Sequence, residues 1–343
     1  MRRRRNDAPA TRWFVVIPLI LLASAARADE GGVSFWLPGS YGSFAAMPGE
    51  PGWSLTMFNY FESVSSDAQA AAARQVRIGR LSPTLNLILN ASLYSSTDFL
   101  WVSPGYAFEM PMLGGQFGLT LGTLIGVSTV DINGTLNASI GRFNLTRQGA
   151  LDGSGVGVGD LYPEASIRWN SGSHNWMTYL TGDIPVGQYD ASNLVNFGIG
   201  HGAVDAGFGY TYLNERTGHE LSAVTGFTYN LANTSTNYQN GVDWHLDWGA
   251  SQFVSEHIHI GAVGYVYQQI SSDTGCHPAL CPFESSVIGV GPQIGFIIPG
   301  ASYETYINLK GYGEFDGVNR PYGWNAWITV SLSPNPPPHS NSQ

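Results

Sequence analysis

Side chains capable of acid–base chemistry alternate along one segment: Asp243, His245 and Asp247. An imidazole beside a carboxylate can activate a serine hydroxyl, as in lipase-like hydrolases, but no Gly-x-Ser-x-Gly turn marks a nucleophile. His257 and His259 would also share a strand face, yet no third metal ligand accompanies them. Because residues two apart lie on one strand face, all these side chains fit the water-filled interior of a barrel. The sequence predicts no enzyme, no metal site and no cofactor.

Polar side chains recur at every second position of other segments as well. In segments 160–170, 242–250 and 303–311, they alternate with an apolar set that includes several aromatic residues. On a lipid-facing wall, a Lys or Arg would cost about 2–4 kcal/mol at the membrane midplane, so the polar set is expected to face inward. The residues predicted to line a channel are Asp160, Tyr162, Glu164, Arg168, Asp243, His245, Asp247, Glu304, Tyr306 and Lys310.

The composition indicates what kind of element carries these residues. Only 12% of the 343 residues are charged, whereas 13% are aromatic and 43 are Gly. Disordered chains are poor in aromatic residues, and helical membrane bundles need apolar runs of about 20 residues, so neither class fits. The alternating segments are longer than the strands of a soluble sandwich or lipocalin-like barrel, the competing all-β interpretation.

The segments that connect the predicted strands alternate between short and long. Short periplasmic turns and long external loops are typical of outer-membrane barrels. Segments 75–93 and 133–145 could be strands or loop hairpins, which leaves the count open. The predicted fold class is an all-β transmembrane antiparallel barrel of about 12 strands (12–14).

The N-terminus has the order of a secretory signal peptide. Basic residues precede an apolar stretch, Trp13–Ala26, and Ala26-Arg27-Ala28 offers a cleavage site before Asp29. The formal net charge of −10 argues against a nucleic-acid partner. The predicted organisation is a signal peptide at 1–28, a plug-like segment at 29–51, the barrel at 52–333 and a periplasmic tail at 334–343.

The two cysteines, Cys276 and Cys281, lie in a Cys-His-Pro-Ala-Leu-Cys segment. An exported chain meets an oxidising compartment, so the pair favours a disulfide bond in an external loop. A zinc site with His277 is the alternative, but no second ligand pair lies near.

Residues 29–51 are too rich in Gly and Pro for a regular strand, yet they are apolar. Exposed in the periplasm, this apolar set would be a liability, whereas inside the barrel it would narrow the pore. Removing residues 31–46 is expected to raise the conductance. The residues predicted to form the plug are Phe35, Trp36, Leu37, Tyr41 and Phe44.

Four segments carry a family resemblance: Gly31-Gly-Val-Ser-Phe-Trp-Leu-Pro-Gly-Ser-Tyr-Gly-Ser, Gly159-Asp-Leu-Tyr-Pro, Asp183-Ile-Pro-Val-Gly-Gln-Tyr-Asp and Pro321-Tyr-Gly-Trp-Asn-Ala-Trp. They resemble the MetA-pathway phenol-degradation outer-membrane family, which includes SphA-like transporters. The resemblance implies an outer-membrane barrel that passes hydrophobic or aromatic compounds. The C-terminus departs from many such barrels, because Ser333 and a Pro-rich tail stand where an aromatic residue is usual.

The expected function is therefore an outer-membrane channel for small hydrophobic or aromatic compounds. Its expected partners are outer-membrane lipid and such a solute, with no nucleic acid and the oligomeric state left open. The alternatives are a lipase-like outer-membrane enzyme and a non-conducting receptor or adhesin barrel.

Overall fold

A computed structural model describes residues 34–66, 86–140, 143–275 and 284–335. The predicted signal peptide, the Cys276–Cys281 pair and most of the predicted tail lie outside these ranges. Among the described residues, no helix is long and apolar enough to cross a membrane.

Thirteen strands make up the described chain. They are β1 (Gly52–Ser66), β2 (Asn86–Met112), β3 (Gly115–Ile140), β4 (Phe143–Val158), β5 (Tyr162–Ser171), β6 (His174–Asp183), β7 (Ala203–Asn214), β8 (His219–Asn230), β9 (Asp243–Ser255), β10 (Ile258–Gln269), β11 (Ser286–Pro299), β12 (Tyr303–Val318) and β13 (Tyr322–Pro334). Neighbouring strands are antiparallel, and β1 pairs with both β2 and β13, which closes the sheet.

The strands β4 and β5 occupy one position in the wall. Both pair with β3, β4 opposite Ile125–Ile140 and β5 opposite Gln116–Gly122. A short break at residues 159–161 separates them, where the Gly159 N–H donates to the Leu124 carbonyl at 2.8 Å. The wall therefore has twelve strand positions, and the predicted twelve-stranded antiparallel barrel is confirmed.

Two sequence expectations concern this part of the wall. Of the two interpretations left open for segment 133–145, strand or loop hairpin, the structure has the hairpin, because the segment comprises the end of β3 and the start of β4. Asp160, expected within an alternating strand, lies in the break, because β5 begins only at Tyr162. Two residues of β3 oppose three there, and the ladder is interrupted.

The outer wall is apolar and the inner wall is polar. On β3, the outward-facing side chains of Leu119, Leu121, Ile125 and Val127 are 43–51% exposed. Inward positions of β9 instead bury Asp243, His245, Asp247 and Ser251. Soluble proteins bury apolar and expose polar side chains, so this reversed distribution fits a barrel surrounded by lipid.

One stretch of the wall lacks a strand partner among the described residues. On the β4 side of the break, β4 pairs with β3 along one edge, and no described strand lies along its other edge. The strand β6 ends at Asp183, level with the break, and the chain returns to the wall only at Ala203, where β7 begins. The connection between them, residues 184–202, lies along the free edge of β4, and the Gln188 N–H donates to the Val158 carbonyl at 3.0 Å. We call residues 184–202 the gap segment.

Candidate functional site

Residues 34–50 form an irregular segment inside the barrel, which we call the plug. Gly39 has a φ of 88°, and a Cβ there would lie 3.1 Å from the Tyr312 ring of β12. Only glycine combines this backbone conformation with so close an approach to the wall. At the end of the plug, the Gly49 N–H donates to Gln116 Oε1 at the start of β3, 2.9 Å away.

Two buried carboxylates of the wall hold the plug backbone. Asp247, 1% exposed, accepts hydrogen bonds from the N–H groups of Gly39 at 2.9 Å and Tyr41 at 3.0 Å. Glu220, 4% exposed, accepts from the Phe44 N–H at 3.1 Å and from the Ser43 hydroxyl at 2.6 Å. Hydrogen bonds to ionised acceptors are the stronger kind, so the acidic residues satisfy an irregular backbone that has no ladder of its own.

Cationic side chains bind plug carbonyl groups. Lys310 Nζ donates to the Gly39 carbonyl and lies 4.4 Å from the centroid of the Trp327 ring. Arg168 Nε donates to the Ala45 carbonyl at 3.5 Å. The wall thus offers acceptors to plug N–H groups and donors to plug carbonyls.

His245 lies beneath the plug. The indole of Trp36 stacks on its imidazole with ring centroids 3.5 Å apart and planes 11° apart. Asp205 Oδ2 lies 3.0 Å from His245 Nε2, and the Tyr179 hydroxyl donates to Asp205 Oδ1 at 2.8 Å. The side chain of His245 is 0% exposed, so this His–Asp pair is fully covered, with Trp36 packed against the imidazole.

Tyr41 connects the plug to β5. Its hydroxyl donates to Glu164 Oε2 at 3.0 Å. Burial, and then the charge of Glu164, raise the pKa of Tyr41 well above its ordinary value. The hydroxyl therefore stays protonated and remains a donor.

A cavity of 490 Å³ lies between the plug and strands β1 to β3. Phe58 stacks on Trp101 with centroids 5.5 Å apart, and Trp101 lies 5.0 Å from Tyr162. The charged residues of the lining are Glu62, Glu164, Glu314 and Arg320. Apart from Tyr162 and Glu164, the sequence analysis did not select these wall residues, although the two-residue period of β1 and β2 places Phe58, Glu62 and Trp101 on inward positions.

The gap segment closes one side of the cavity. Leu194, Val195 and Phe197 line the cavity, and a row of glycines on β4 lies close against them. A Cβ at Gly157 would lie 2.3 Å from the Phe197 ring, and one at Gly153 would lie 2.9 Å from Leu194 Cβ. The glycine-rich segment of β4 therefore makes room for the apolar side chains of the gap segment.

Asp160 fastens the gap segment to the break. It is 1% exposed, and it accepts hydrogen bonds from the Gly187 N–H at 2.6 Å and from the Ile199 N–H at 2.7 Å. Both ends of the gap segment are thereby tied to one carboxylate.

The residues selected from sequence occupy several environments. Tyr162 and Glu164 line the cavity, and Asp160 lies in the break. Around the plug, Arg168, Asp247 and Lys310 bind its backbone, whereas His245 and Tyr306 contact the rings of Trp36 and Phe44. Asp243 is buried and accepts from Asn230 Nδ2 at 2.9 Å, and Glu304 is half-buried at an inward position of β12.

Of the plug residues, Phe35 lies 5.9 Å from the Tyr162 ring, Leu37 packs on the aromatic cluster of the wall, and Tyr41 binds Glu164.

Within the described ranges, no group of three or more His, Cys, Asp or Glu side chains could hold a metal ion. His259 contacts Tyr306, whose hydroxyl lies 3.0 Å from Nε2, and His257 lies in the turn before β10.

Asp247→Asn is expected to loosen the plug without unfolding the barrel. The amide keeps one acceptor oxygen, so one of the two plug N–H groups loses its partner, at a cost of about 1–3 kcal/mol. Limited proteolysis of the plug in the purified barrel should therefore be faster. Glu304→Asn is the control, and equal proteolysis of the two variants would contradict the anchoring role of Asp247.

The sequence profile of a family described as "Putative MetA-pathway of phenol degradation" matches residues 89–330. The COG4313 outer membrane channel from Pseudomonas putida F1 is similar with a TM-score of 0.54 and 14% identity, over 84% of this chain and 97% of the channel. No curated protein sequence matches the chain.

Two further solved barrels are more distant. A FadL homologue from Pseudomonas aeruginosa has a TM-score of 0.38 and 10% identity, over 91% of this chain and 97% of the homologue. The translocator domain of the autotransporter NalP from Neisseria meningitidis has a TM-score of 0.35 and 10% identity, over 84% and 90%.

The barrel fold shared with the COG4313 channel and the apolar outer wall place the chain in an outer membrane. That structural neighbour is a channel rather than an enzyme. Because the family profile covers more than half of the sequence, the chain belongs to the MetA-pathway family of phenol degradation.

Proposed function

We propose that the chain is a channel that lets small hydrophobic or aromatic compounds cross the outer membrane. The aromatic cavity carries this proposal. Its 490 Å³ fall within the usual range of small-molecule sites, about 300–1,000 Å³. Its walls include the rings of Phe58, Phe99, Trp101 and Tyr162, which favour stacking with an aromatic solute over solvation of an ion or a sugar.

The route through the wall follows from the gap segment. Hydrogen bonds from the wall hold the plug backbone inside the barrel. The gap segment lies between the cavity and the edge of β4 that has no strand partner among the described residues. A solute in the cavity therefore leaves sideways, past Leu194 and Val195, when the gap segment moves. An apolar solute can enter the membrane directly there, which avoids transfer back into water.

Filling the cavity should block transport. Ser128 lines the cavity on the inner face of β3, and its neighbour Thr129 is exposed on the outer face. Ser128→Trp is expected to reduce the uptake of radiolabelled toluene to that of cells without the protein, because an indole occupies the space of the solute. Thr129→Trp adds the same side chain towards lipid and should transport normally.

Toluene uptake by Gram-negative host cells that produce each protein at equal surface levels is the measurement. Equal uptake by cells with and without the unsubstituted protein would overturn the proposed function. Unchanged uptake by Ser128→Trp would show that the cavity is not on the route.

A further inference from the structure

Glu164 brings a carboxylate with an available acceptor oxygen to the cavity. Glu164 Oε2 accepts from the Tyr41 hydroxyl at 3.0 Å, whereas no donor from the described part of the chain binds Oε1. Glu164 Oε1 is also not fully shielded from solvent. Glu164 therefore presents an accessible acceptor to the cavity.

The other charged groups of the lining are engaged. Glu314 accepts from the Tyr265 hydroxyl at 2.6 Å and from the Gly323 N–H at 2.7 Å, one bond to each oxygen. Glu62 Oε2 accepts from the Tyr60 hydroxyl at 2.9 Å, and the Thr97 hydroxyl is a second hydrogen-bond partner of this carboxylate.

Among the described residues that line the cavity, Arg320 is the one cation, and it packs against an aromatic ring. The guanidinium of Arg320 lies 4.7 Å from the centroid of the Tyr267 ring. Its Nε and Nη1 atoms are shielded from solvent, so only part of the guanidinium is open to the cavity. Arg168, on the same face of β5 as Glu164, donates to the Ala45 carbonyl and the Ser166 hydroxyl. The lining itself has three carboxylates against the single guanidinium of Arg320, so the cavity offers acceptors and an excess of negative charge.

An aromatic surface lies beside the free acceptor. Tyr162 is two residues from Glu164 on the same face of β5, a separation of about 7 Å along a strand. The Tyr162 ring lies 5.9 Å from Phe35 and 5.0 Å from Trp101. A one-ring compound stacked on this surface is of suitable length to direct a substituent towards Glu164.

We propose that Glu164 determines specificity, by selecting aromatic compounds with a neutral hydroxyl or amino donor and rejecting aromatic carboxylates. This inference rests on the proposed channel function. A carboxylate accepts a strong charge-assisted hydrogen bond from such a donor. The same charge repels a carboxylate ligand, so attraction and exclusion come from one side chain.

The test compares phenol, toluene and benzoate, which share one ring and differ in the donor and the charge. Glu164→Gln keeps an acceptor for Tyr41 and removes the charge. Because charged acceptors bind roughly twice as strongly as neutral ones, we expect the phenol affinity to fall about 5–10-fold, with toluene affinity unchanged. Benzoate should bind the variant and not the unsubstituted protein. Affinities are measured by titration calorimetry on the purified full-length barrel, and uptake in cells.

Glu304→Gln is the matched control, because it removes the same charge at an inward position that does not line the cavity. It should keep the phenol preference and the exclusion of benzoate. The proposal is overturned if Glu164→Gln leaves the phenol affinity unchanged, or if benzoate binds the unsubstituted protein as tightly as phenol does. In either case, toluene uptake by the unsubstituted protein would leave the channel function standing, whereas its absence would remove both.

Discussion

Deletion of residues 34–46 is expected to raise the single-channel conductance of the barrel severalfold. These residues lie inside the barrel and contact distant strands of the wall, since Ala46 N–H donates to Thr211 Oγ1 of β7 at 3.1 Å and Lys310 of β12 donates to the Gly39 carbonyl. Without them, Asp247 and Glu220 face water instead of plug backbone. The exposed carboxylates become hydrated, so the barrel can remain folded while its axis opens. Planar-bilayer recordings of the purified protein measure the effect.

Removal of the tail at 336–343 is the control for this deletion, because it shortens the chain outside the plug. It should leave conductance unchanged. The plug would have no part in blocking the axis if the 34–46 deletion inserted normally into bilayers and conducted like the full chain. Selectivity offers a second readout, because ions and sugars should cross the truncated barrel along with apolar solutes.

A disulfide that ties the gap segment to β4 is expected to reduce toluene uptake severalfold under oxidising conditions. A Cβ at Gly155 would lie 3.5 Å from Val195 Cβ, at the short end of the range that disulfides span, about 3.5–4.5 Å. The variant Gly155→Cys/Val195→Cys should therefore cross-link in a background with Cys276→Ser and Cys281→Ser. The bond holds the gap segment closed, so the lateral route is blocked.

Reduction with dithiothreitol should restore uptake in the double-cysteine variant. Each single-cysteine variant should transport normally in either redox state, which separates the cross-link from the side-chain change. Conductance along the barrel axis should not respond to the bond. If the cross-linked protein takes up toluene at the rate of its reduced form, solutes do not leave through the gap.

The sequence predicts the barrel because its main determinant is local. Polar and apolar side chains alternate along β9 and β12, and short turns alternate with long loops. Both are properties of neighbouring residues, and together they predict an antiparallel barrel. The break between β4 and β5 is not local in this sense. The break exists because β3 pairs with two successive segments. In the sequence, its only sign is Gly159, and glycines are common throughout this chain.

The partners of the inward side chains depend on distance in space rather than in sequence. The two-residue period predicts that Asp247 and Lys310 share the interior, but both contact Gly39, which lies more than 200 residues away. The cavity is harder still to predict, because Trp101, Tyr162 and Phe35 come from two strands and an irregular segment. Only the closed barrel brings them together.

The unpaired edge of β4 also has a mechanical consequence. Below the break, every strand is hydrogen-bonded on both sides, so widening that part of the wall means breaking a complete ladder. On the far side of the break, the outer edge of β4 has no strand beside it among the described residues, and residues 184–202 cover it instead. Moving β4 away from these residues disrupts mainly the contacts of residues 184–202 and two bonds to Asp160. The barrel thus combines a continuous ring of hydrogen-bonded strands with one compliant edge at β4, and outward movement of that edge leaves the strand ladders of the described residues intact.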